Sequence, residues 1–197
     1  NNLIPASVIT RVAKRHIRVG TFEYFASRDD VKNLKVLADY TLNRHFPKYN
    51  DQCNKYLHLL KSVIKVQIEL VTSWMSIGFI HGVMNTDNTS ICGQTLDYGP
   101  CAFMDEYESN KAFSFIDKNG RYSFVNQRNI LLWNITRFAE TLLPLINSNI
   151  KKAIKIVEGE LSQFLTVFDD VHYTKMARKL GILSVASKEQ DRALVTD

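Results

Sequence analysis

The sequence has few features of an exported or membrane-bound protein. No apolar run approaches the roughly eighteen residues that a membrane helix needs, and the amino-terminal residues lack the basic, apolar and small-residue succession of a cleaved signal. Internal repeats and low-complexity linkers are missing as well. The sequence therefore predicts a soluble protein with no membrane partner, located in the cytoplasm or, as the alternative, in the mitochondrion.

Cysteine is scarce, and the three cysteines are Cys53, Cys92 and Cys101. No two of them have the C-x-x-C spacing of a zinc ribbon or a redox pair, and an odd number does not suit a disulfide scaffold. This pattern is typical of a reducing compartment.

The excess of positive charge is small, because 25 Lys and Arg residues face 20 Asp and Glu residues, for a formal net charge of +5. The basic residues are scattered and do not alternate with aromatic ones, as single-stranded nucleic acids require, so a nucleic-acid partner is disfavoured. With 197 residues, 45% of them hydrophobic, the chain is long enough to bury one core. We expect a single domain over residues 1–197 and a monomer.

Apolar residues recur at helical spacing along most of the chain. Asp29 and Asp30 are candidate N-caps of the first clear helix, and Pro144 should kink its helix or mark the last turn. Trp74 and Trp133 fall in apolar stripes and are predicted to pack in the core. The predicted helices cover about 31–46, 52–77, 130–145, 149–168, 171–180 with Gly181 after it, and 188–197.

Residues 79–107 differ from the rest, because glycine, Asn, Asp and Thr replace the apolar periodicity. Short apolar pieces at 90–92 and 95–96 predict two very short strands, so the fold class is mainly α with a small β-hairpin. A polar loop that follows a long apolar helix is a suitable place for chemistry. We therefore take 79–107 as the candidate catalytic segment.

Three residues of this segment have the chemistry of phosphoryl or nucleotidyl transfer. Asp87 and Asn88 are adjacent, and Asp97 follows nine residues after Asn88. Such a reaction needs hard oxygen ligands for Mg²⁺ and a carboxylate near the attacking hydroxyl. Taken alone, Asn and Asp residues in loops are more often turn formers, and His81, without a second ligand at metal spacing, is more readily a structural hydrogen-bonding residue.

Protein kinases use an Asp, an Asn and the Asp of an Asp-Phe-Gly turn in the same order, but their Asp and Asn are five residues apart. Here the pair is adjacent, so an ordinary kinase motif is excluded. The segments HGVMNTDN (81–88) and LDYGP (96–100) instead resemble the selenoprotein O family, also called YdiU, of kinase-like protein adenylyltransferases. The resemblance extends upstream to TRVA (10–13) and IRVGTFEYF (17–25), and downstream to GRYSF (120–124), LWN (132–134) and KLG (179–181).

The resemblance implies a protein-kinase-like C-terminal lobe and an enzyme that transfers AMP from ATP to Ser, Thr or Tyr hydroxyls of proteins. Position by position, it makes Asp87 the proton acceptor, Asn88 and Asp97 the ligands of Mg²⁺, and Arg11 and Arg18 the contacts of the ATP phosphates, with Asp97 also at the nucleotide. Mn²⁺ is the alternative metal. If residues 11–18 are helical, the seven-residue spacing of the two arginines equals two turns.

The resemblance also implies that a glycine-rich loop and a nucleotide-anchoring lysine lie in an amino-terminal lobe before Asn1. We therefore expect this chain to be a fragment of the adenylyltransferase, with incomplete activity alone. Two alternatives stay open, namely kinase-type phosphoryl transfer and a non-catalytic helical remnant.

Overall fold

The computed structural model describes residues 7–8, 10 and 12–182, and the predicted helix at 188–197 lies outside them. The described part is mainly helical, with one two-stranded antiparallel sheet in which Phe79 pairs with Phe103 and Ile80 with Ala102. Short 3-10 turns cover Pro47–Tyr49 and Thr86–Asn88. The helices are α1 (Val19–Ala26), α2 (Val31–His45), α3 (Lys55–Ser76), α4 (Gln127–Ile146), α5 (Ile150–Leu161) and α6 (Phe164–Lys179), and the strands are β1 (Phe79–Ile80) and β2 (Ala102–Phe103).

The apolar periodicity predicted α2 and α3 correctly. Asp30 caps α2, because its carboxylate accepts a hydrogen bond of 3.1 Å from the Asn33 amide. Helix α3 begins at Lys55, three residues later than predicted, directly after Asn54 in the left-handed conformation (φ 57°). A residue with positive φ cannot continue a right-handed helix, which explains the later start.

The carboxyl ends of α4 and α6 also lie where the sequence predicted them. Pro144 lies in the last turn of α4, which ends at Ile146. Gly181 adopts φ 77° after α6, and the amides of Gly181 and Ile182 donate to the carbonyls of Arg178 and Ala177. This is the Schellman arrangement that a glycine at C′ allows.

The predicted boundary between the last two helices was wrong. The break lies at Ser162 and Gln163, between α5 and α6, and residues 169–170 are inside α6. Asp169 is on the surface of α6, where it pairs with Arg128 at 2.8 Å. Phe164 and Phe168, one helical turn apart, are both buried in the core, so tertiary packing decides where the new helix starts.

The buried apolar side chains form one cluster, and each of the helices α1 to α6 contributes to it. Helix α3 is central, because it packs against both α4 and α6, while α1 packs against α4. Phe22 of α1 meets Phe138 of α4 edge to face, with ring centroids 5.0 Å apart. These contacts hold the start of α1 and the end of α3 in fixed positions beside the loop that follows β1.

Two predictions about single features were wrong. The apolar pieces at 90–92 and 95–96 form no strands, but only isolated bridges between Thr89 and Thr95 and between Ser90 and Arg18. The residues that pair as strands are those of β1 and β2, which come before and after these pieces in the sequence. Trp133 is 41% exposed and not a core residue, whereas Trp74 is buried as predicted.

None of the helices within residues 12–182 is long and apolar enough to cross a membrane.

Candidate active site

The candidate catalytic segment, residues 79–107, begins where α3 ends. Gly78, with φ 69°, turns the chain out of α3 into β1, which is buried and paired with β2. His81 follows β1 and is 1% exposed. The segment therefore starts from a rigid base on the longest helix of the described chain.

Asp87 lies in the 3-10 turn Thr86–Asn88, and this turn is closed by Asn85. The Asn85 side chain caps the turn by accepting a hydrogen bond of 2.9 Å from the Asn88 amide, and the Asn85 carbonyl accepts one of 2.9 Å from the Thr89 hydroxyl. Asp87 itself is exposed. A rigid turn thus presents one carboxylate at the surface of the segment.

The carboxylate of Asp87 lies directly against the first turn of α1. A Cβ atom built on Gly20 would be only 2.2 Å from Asp87 Oδ1, so the absence of a side chain at position 20 makes room for the carboxylate. The amino end of a helix has a partial positive charge that favours a nearby anion. Position 20 was part of the sequence resemblance, but no local pattern indicated this contact.

Asn88 is held through its amide nitrogen. Nδ2 donates a hydrogen bond of 2.9 Å to the Val83 carbonyl. Because a carbonyl can only accept, this contact assigns the two ends of the carboxamide. Oδ1 is therefore the atom of Asn88 that could coordinate a cation.

His81 connects the Asn88 side of the segment to the Asp97 side. Its Nδ1 accepts a hydrogen bond of 3.3 Å from the Val83 amide, and its Nε2 donates one of 2.7 Å to the carbonyl of Leu96, the residue before Asp97. The bond from the Val83 amide needs the neutral ring, because a protonated Nδ1 cannot accept, whereas Nε2 donates to Leu96 in either state. Burial lowers the pKa of His81, although the bond to Leu96 and the charge of Asp97 oppose this shift.

Together these contacts form a continuous path from Asn88 through Val83 and His81 to Leu96. His81 acts as the structural residue that the sequence favoured, and within the described chain no group of three or more His, Cys, Asp or Glu side chains could hold a metal ion.

Asp97 is half-buried and has φ 63°, a left-handed conformation that is uncommon for residues other than glycine. Asp and Asn tolerate this region better than other side chains do. The turn is further fixed at Gly82, where a Cβ would be 2.9 Å from the Pro100 carbonyl oxygen. An unusual backbone conformation held by its surroundings is a frequent feature of functional residues.

Three buried amide side chains support the segment from the helices, and the sequence reasoning did not assign them this role. Gln127 of α4 accepts from the His81 amide (3.0 Å) and donates to the Phe79 carbonyl (3.1 Å). Asn134 of α4 donates to the Met84 carbonyl (2.9 Å), and Gln67 of α3 donates to the Ser90 carbonyl. The available signal was a polar residue on the apolar face of an amphipathic helix, where a buried amide needs a partner.

Arg18 lies beside the segment on an extended stretch. Its neighbours bond to the loop, because the Ile91 amide donates to the Ile17 carbonyl (3.1 Å) and the Val19 amide to the Thr89 carbonyl (3.0 Å). Arg18 Nε is buried and has no hydrogen-bond partner among the described residues. Residues 12–17 are not helical, so the spacing of two helical turns was the wrong geometry. Arg11 lies outside the described residues.

Residues 2–197 match the family model described as "Protein adenylyltransferase SelO". The chain belongs to this family. Proteins named "Protein nucleotidyltransferase YdiU" are similar to it, with 52% identity over 194 residues in Clostridium botulinum strain 657 / Type Ba4 and 50% over 189 residues in Clostridium perfringens strain 13 / Type A. These alignments cover 98% and 96% of this chain, but 39% and 38% of the relatives. The chain thus spans about two fifths of the length of the relatives it matches.

Two side chains of this SelO segment have oxygen atoms of the kind that Mg²⁺ prefers. Asn88 Oδ1 and the Asp97 carboxylate are hard ligands on the two sides of the His81 path. Mg²⁺ is commonly held by one or two protein oxygens and completes its shell with water and phosphate oxygens.

Proposed function

We propose that this chain is the metal-binding and proton-accepting part of a protein adenylyltransferase, in a protein-kinase-like C-terminal lobe. The full-length protein would transfer AMP from ATP to Ser, Thr or Tyr hydroxyls of other proteins and release pyrophosphate. Membership of the SelO family supports the reaction class. The observation that supports the site is the hydrogen-bonded path through His81, because it links the segments of Asn88 and Asp97 in one rigid unit.

Asp87 is the proposed proton acceptor for the attacking hydroxyl. Its carboxylate is exposed, and no side chain of the described residues forms an ion pair with it. The contact with the first turn of α1 fixes where the carboxylate lies without blocking it from solvent. A positioned carboxylate of this kind can orient a hydroxyl and take its proton as the new bond to phosphorus forms.

Asn88 and Asp97 are the proposed ligands of Mg²⁺, with Mn²⁺ as the alternative. A metal bound there would reduce the negative charge of the triphosphate and help to orient it. The His81 path to the Leu96 carbonyl and the left-handed backbone at Asp97 support this proposal, because they restrict the backbone on which the two side chains stand.

Arg18, together with Arg11, is proposed to contact the phosphates of ATP. The unpaired and buried Nε of Arg18 supports this role, because a buried guanidinium N–H without a partner is costly unless a ligand accepts its hydrogen bond. A guanidinium can bind two phosphate oxygens at once. The positive charge would stabilise the pyrophosphate as it leaves.

A cytoplasmic location belongs to the same proposal. All three cysteines are free thiols in the structure, as a reducing compartment requires.

The test uses the full-length protein, Mg²⁺, a mixture of candidate acceptor proteins and ATP labelled on either the α- or the γ-phosphate. Adenylylation leaves only the α label on protein, whereas kinase activity leaves only the γ label. Asp97→Ala should abolish α-label transfer. Asp29→Ala is the matched control, because Asp29 also has a positive φ (52°) but lies in the turn before α2.

Transfer of the γ label would replace the proposal with a kinase function. Transfer of the α label by Asp97→Ala at the rate of the unaltered protein would overturn the proposed site. A folded full-length protein that transfers neither label would favour the non-catalytic alternative.

A further inference from the structure

Trp133 has an unusual position for a tryptophan on a packed helix. It is 41% exposed, although its neighbours Leu131, Asn134 and Ile135 on α4 are fully buried. Two arginines lie over its ring, with guanidinium carbons 4.9 Å (Arg121) and 5.7 Å (Arg137) from the centroid. We call Arg121, Trp133 and Arg137 the arginine–tryptophan patch.

Arg121 is presented to this patch by a rigid loop. The Asp117 carboxylate accepts hydrogen bonds from the amides of Arg121 (2.8 Å) and Tyr122 (2.7 Å). Asn126 donates to the Gly120 carbonyl at 2.7 Å, and Gly120 has φ 63°. A loop backbone that is already ordered loses little conformational entropy when a partner binds, so this arrangement favours recognition.

The charge of the patch is only partly neutralised. Arg137 forms an ion pair with Glu140, whereas Arg121 is exposed and has no ion pair within residues 12–182. Two guanidinium groups on one indole repel each other unless an anion reduces their charge. The patch therefore has an unmatched positive charge that a carboxylate could bind in a bidentate manner.

The loop also has an apolar feature that selects the class of partner. Phe115 and Ile116 are 87% and 81% exposed, and the Lys118 ammonium lies 4.3 Å from the Phe115 ring centroid. Phe115 and Ile116 are in the same loop as Arg121, and exposed aromatic residues and arginines provide much of the binding energy of protein interfaces. A protein segment with acidic residues and an apolar side chain fits this surface better than a nucleic acid does.

Helix α4 both carries Trp133 and Arg137 of the patch and supports the candidate catalytic segment. Asn134, the residue after Trp133, is hydrogen-bonded to Met84, which precedes Asp87 by three residues. We propose that the arginine–tryptophan patch binds an acidic segment of the acceptor protein and so brings its hydroxyl to Asp87. This inference rests on the proposed adenylyltransferase function and adds the chemical class of the acceptor.

The first experiment measures binding without catalysis. A fluorescein-labelled peptide with glutamates on both sides of a leucine, and the matching lysine peptide, are titrated with the full-length protein and followed by anisotropy. The acidic peptide should bind, and Arg121→Ala should weaken its binding about tenfold, as the loss of one charge-assisted hydrogen bond predicts. Arg121→Glu should reverse the preference towards the lysine peptide.

The matched control is Arg28→Ala. Arg28 is another exposed arginine over an aromatic ring, 3.7 Å from the Tyr24 centroid, but it lies in the turn after α1 and not on the patch. It should leave peptide binding unchanged. Equal effects of Arg121→Ala and Arg28→Ala, or a single-stranded oligonucleotide that binds more tightly than the acidic peptide and with the same dependence on Arg121, would overturn the proposal.

The second experiment measures α-label transfer to two acceptor peptides that share one serine and differ only in acidic or basic flanks. Arg121→Ala should raise KM for the acidic peptide about tenfold and leave kcat unchanged, because the residue binds the acceptor away from the reacting atoms. Transfer without preference for acidic flanks would overturn the docking proposal and leave the adenylyltransferase function intact. Binding that depends on Arg121 without any transfer would overturn the function and leave an acidic-segment binding surface.

Discussion

Gly20 and Asp87 are in direct contact, and a Cβ atom at position 20 would be 2.2 Å from Asp87 Oδ1. This contact joins the start of α1 to the proposed proton acceptor, although the two residues are far apart in the sequence. It provides the sharpest test of the site, because a single methyl group would displace the carboxylate and alter nothing else nearby.

The first prediction therefore concerns Gly20→Ala in the full-length protein. The added methyl should push the Asp87 carboxylate aside and reduce α-label transfer by at least about a hundredfold, the usual order for a displaced general base. The folded state should tolerate the change, because the atom that must move is at the end of a side chain and Gly20 has no positive φ. Transfer rates and thermal unfolding measured together would check both statements.

Gly159→Ala is the control for this prediction. Gly159 is also helical, and nothing lies within 4 Å of the position its Cβ would occupy. It should keep full activity and stabilise the protein by about 1 kcal/mol, since alanine favours the helix over glycine. If both alanine variants were equally active, the contact between Gly20 and Asp87 would have no role in the reaction.

The second prediction concerns the left-handed backbone at Asp97. Asp97→Gly and Asp97→Ala both remove the carboxylate, so both should lose transfer activity and the response to Mg²⁺. They should differ in stability, because only alanine is strained at φ 63°. Glycine should be more stable than alanine by about 1 kcal/mol in urea unfolding, and equal stability would contradict a left-handed turn at this position.

The third prediction concerns Gln127, the buried amide that holds the backbone of β1 and His81. Gln127→Leu leaves the His81 amide and the Phe79 carbonyl without partners, and each buried unpaired group costs about 1–3 kcal/mol. The free energy of unfolding should fall by about 2–4 kcal/mol. Asn129→Ala, an exposed change two residues further along α4, should have almost no effect. A Gln127→Leu protein as stable as the Asn129→Ala protein would show that the two hydrogen bonds of Gln127 do not stabilise the fold.

The fourth prediction concerns pH. Burial lowers the pKa of His45, His81 and His172 below the ordinary value of 6.5. Because the unfolded chain then binds protons at a higher pH than the folded chain, the stability that these rings provide is present above about pH 6.5 and is lost as the pH falls towards their folded pKa. Urea unfolding at pH 8, 6 and 5 should show a steady decrease.

His81→Gln should make the decrease between pH 6.5 and 5 smaller, because one of the three buried rings is gone. It should also lower stability at pH 8, where the neutral ring connects Val83 to Leu96. Stability that stays constant or rises on acidification to pH 5 would show that these histidines do not control the pH dependence.

Much of the fold could be predicted from the sequence, because the relevant interactions are local. The stripe of apolar residues along α3, the Asp30 cap of α2, Pro144 in the last turn of α4 and Gly181 after α6 all depend on residues a few positions apart. The motifs at 81–88 and 96–100 likewise indicated the family, which the family model confirms.

The other features depend on contacts between distant parts of the chain. Only the tertiary structure shows that β1 pairs with β2, that Phe164 and Phe168 enter the core and so set the start of α6, and that Trp133 stays exposed under two arginines. No residue pattern within α4 indicates that Gln127 holds the backbone at His81.

Helical periodicity and residue type are local properties, so the sequence alone predicted most of the helices and the candidate residues for nucleotidyl transfer. The tertiary structure decided how those residues are held, through the His81 path and the first turn of α1 against Asp87. The physical reason is that burial and hydrogen-bond geometry at a site depend on which distant segments pack together, and this packing minimises the free energy of the whole core.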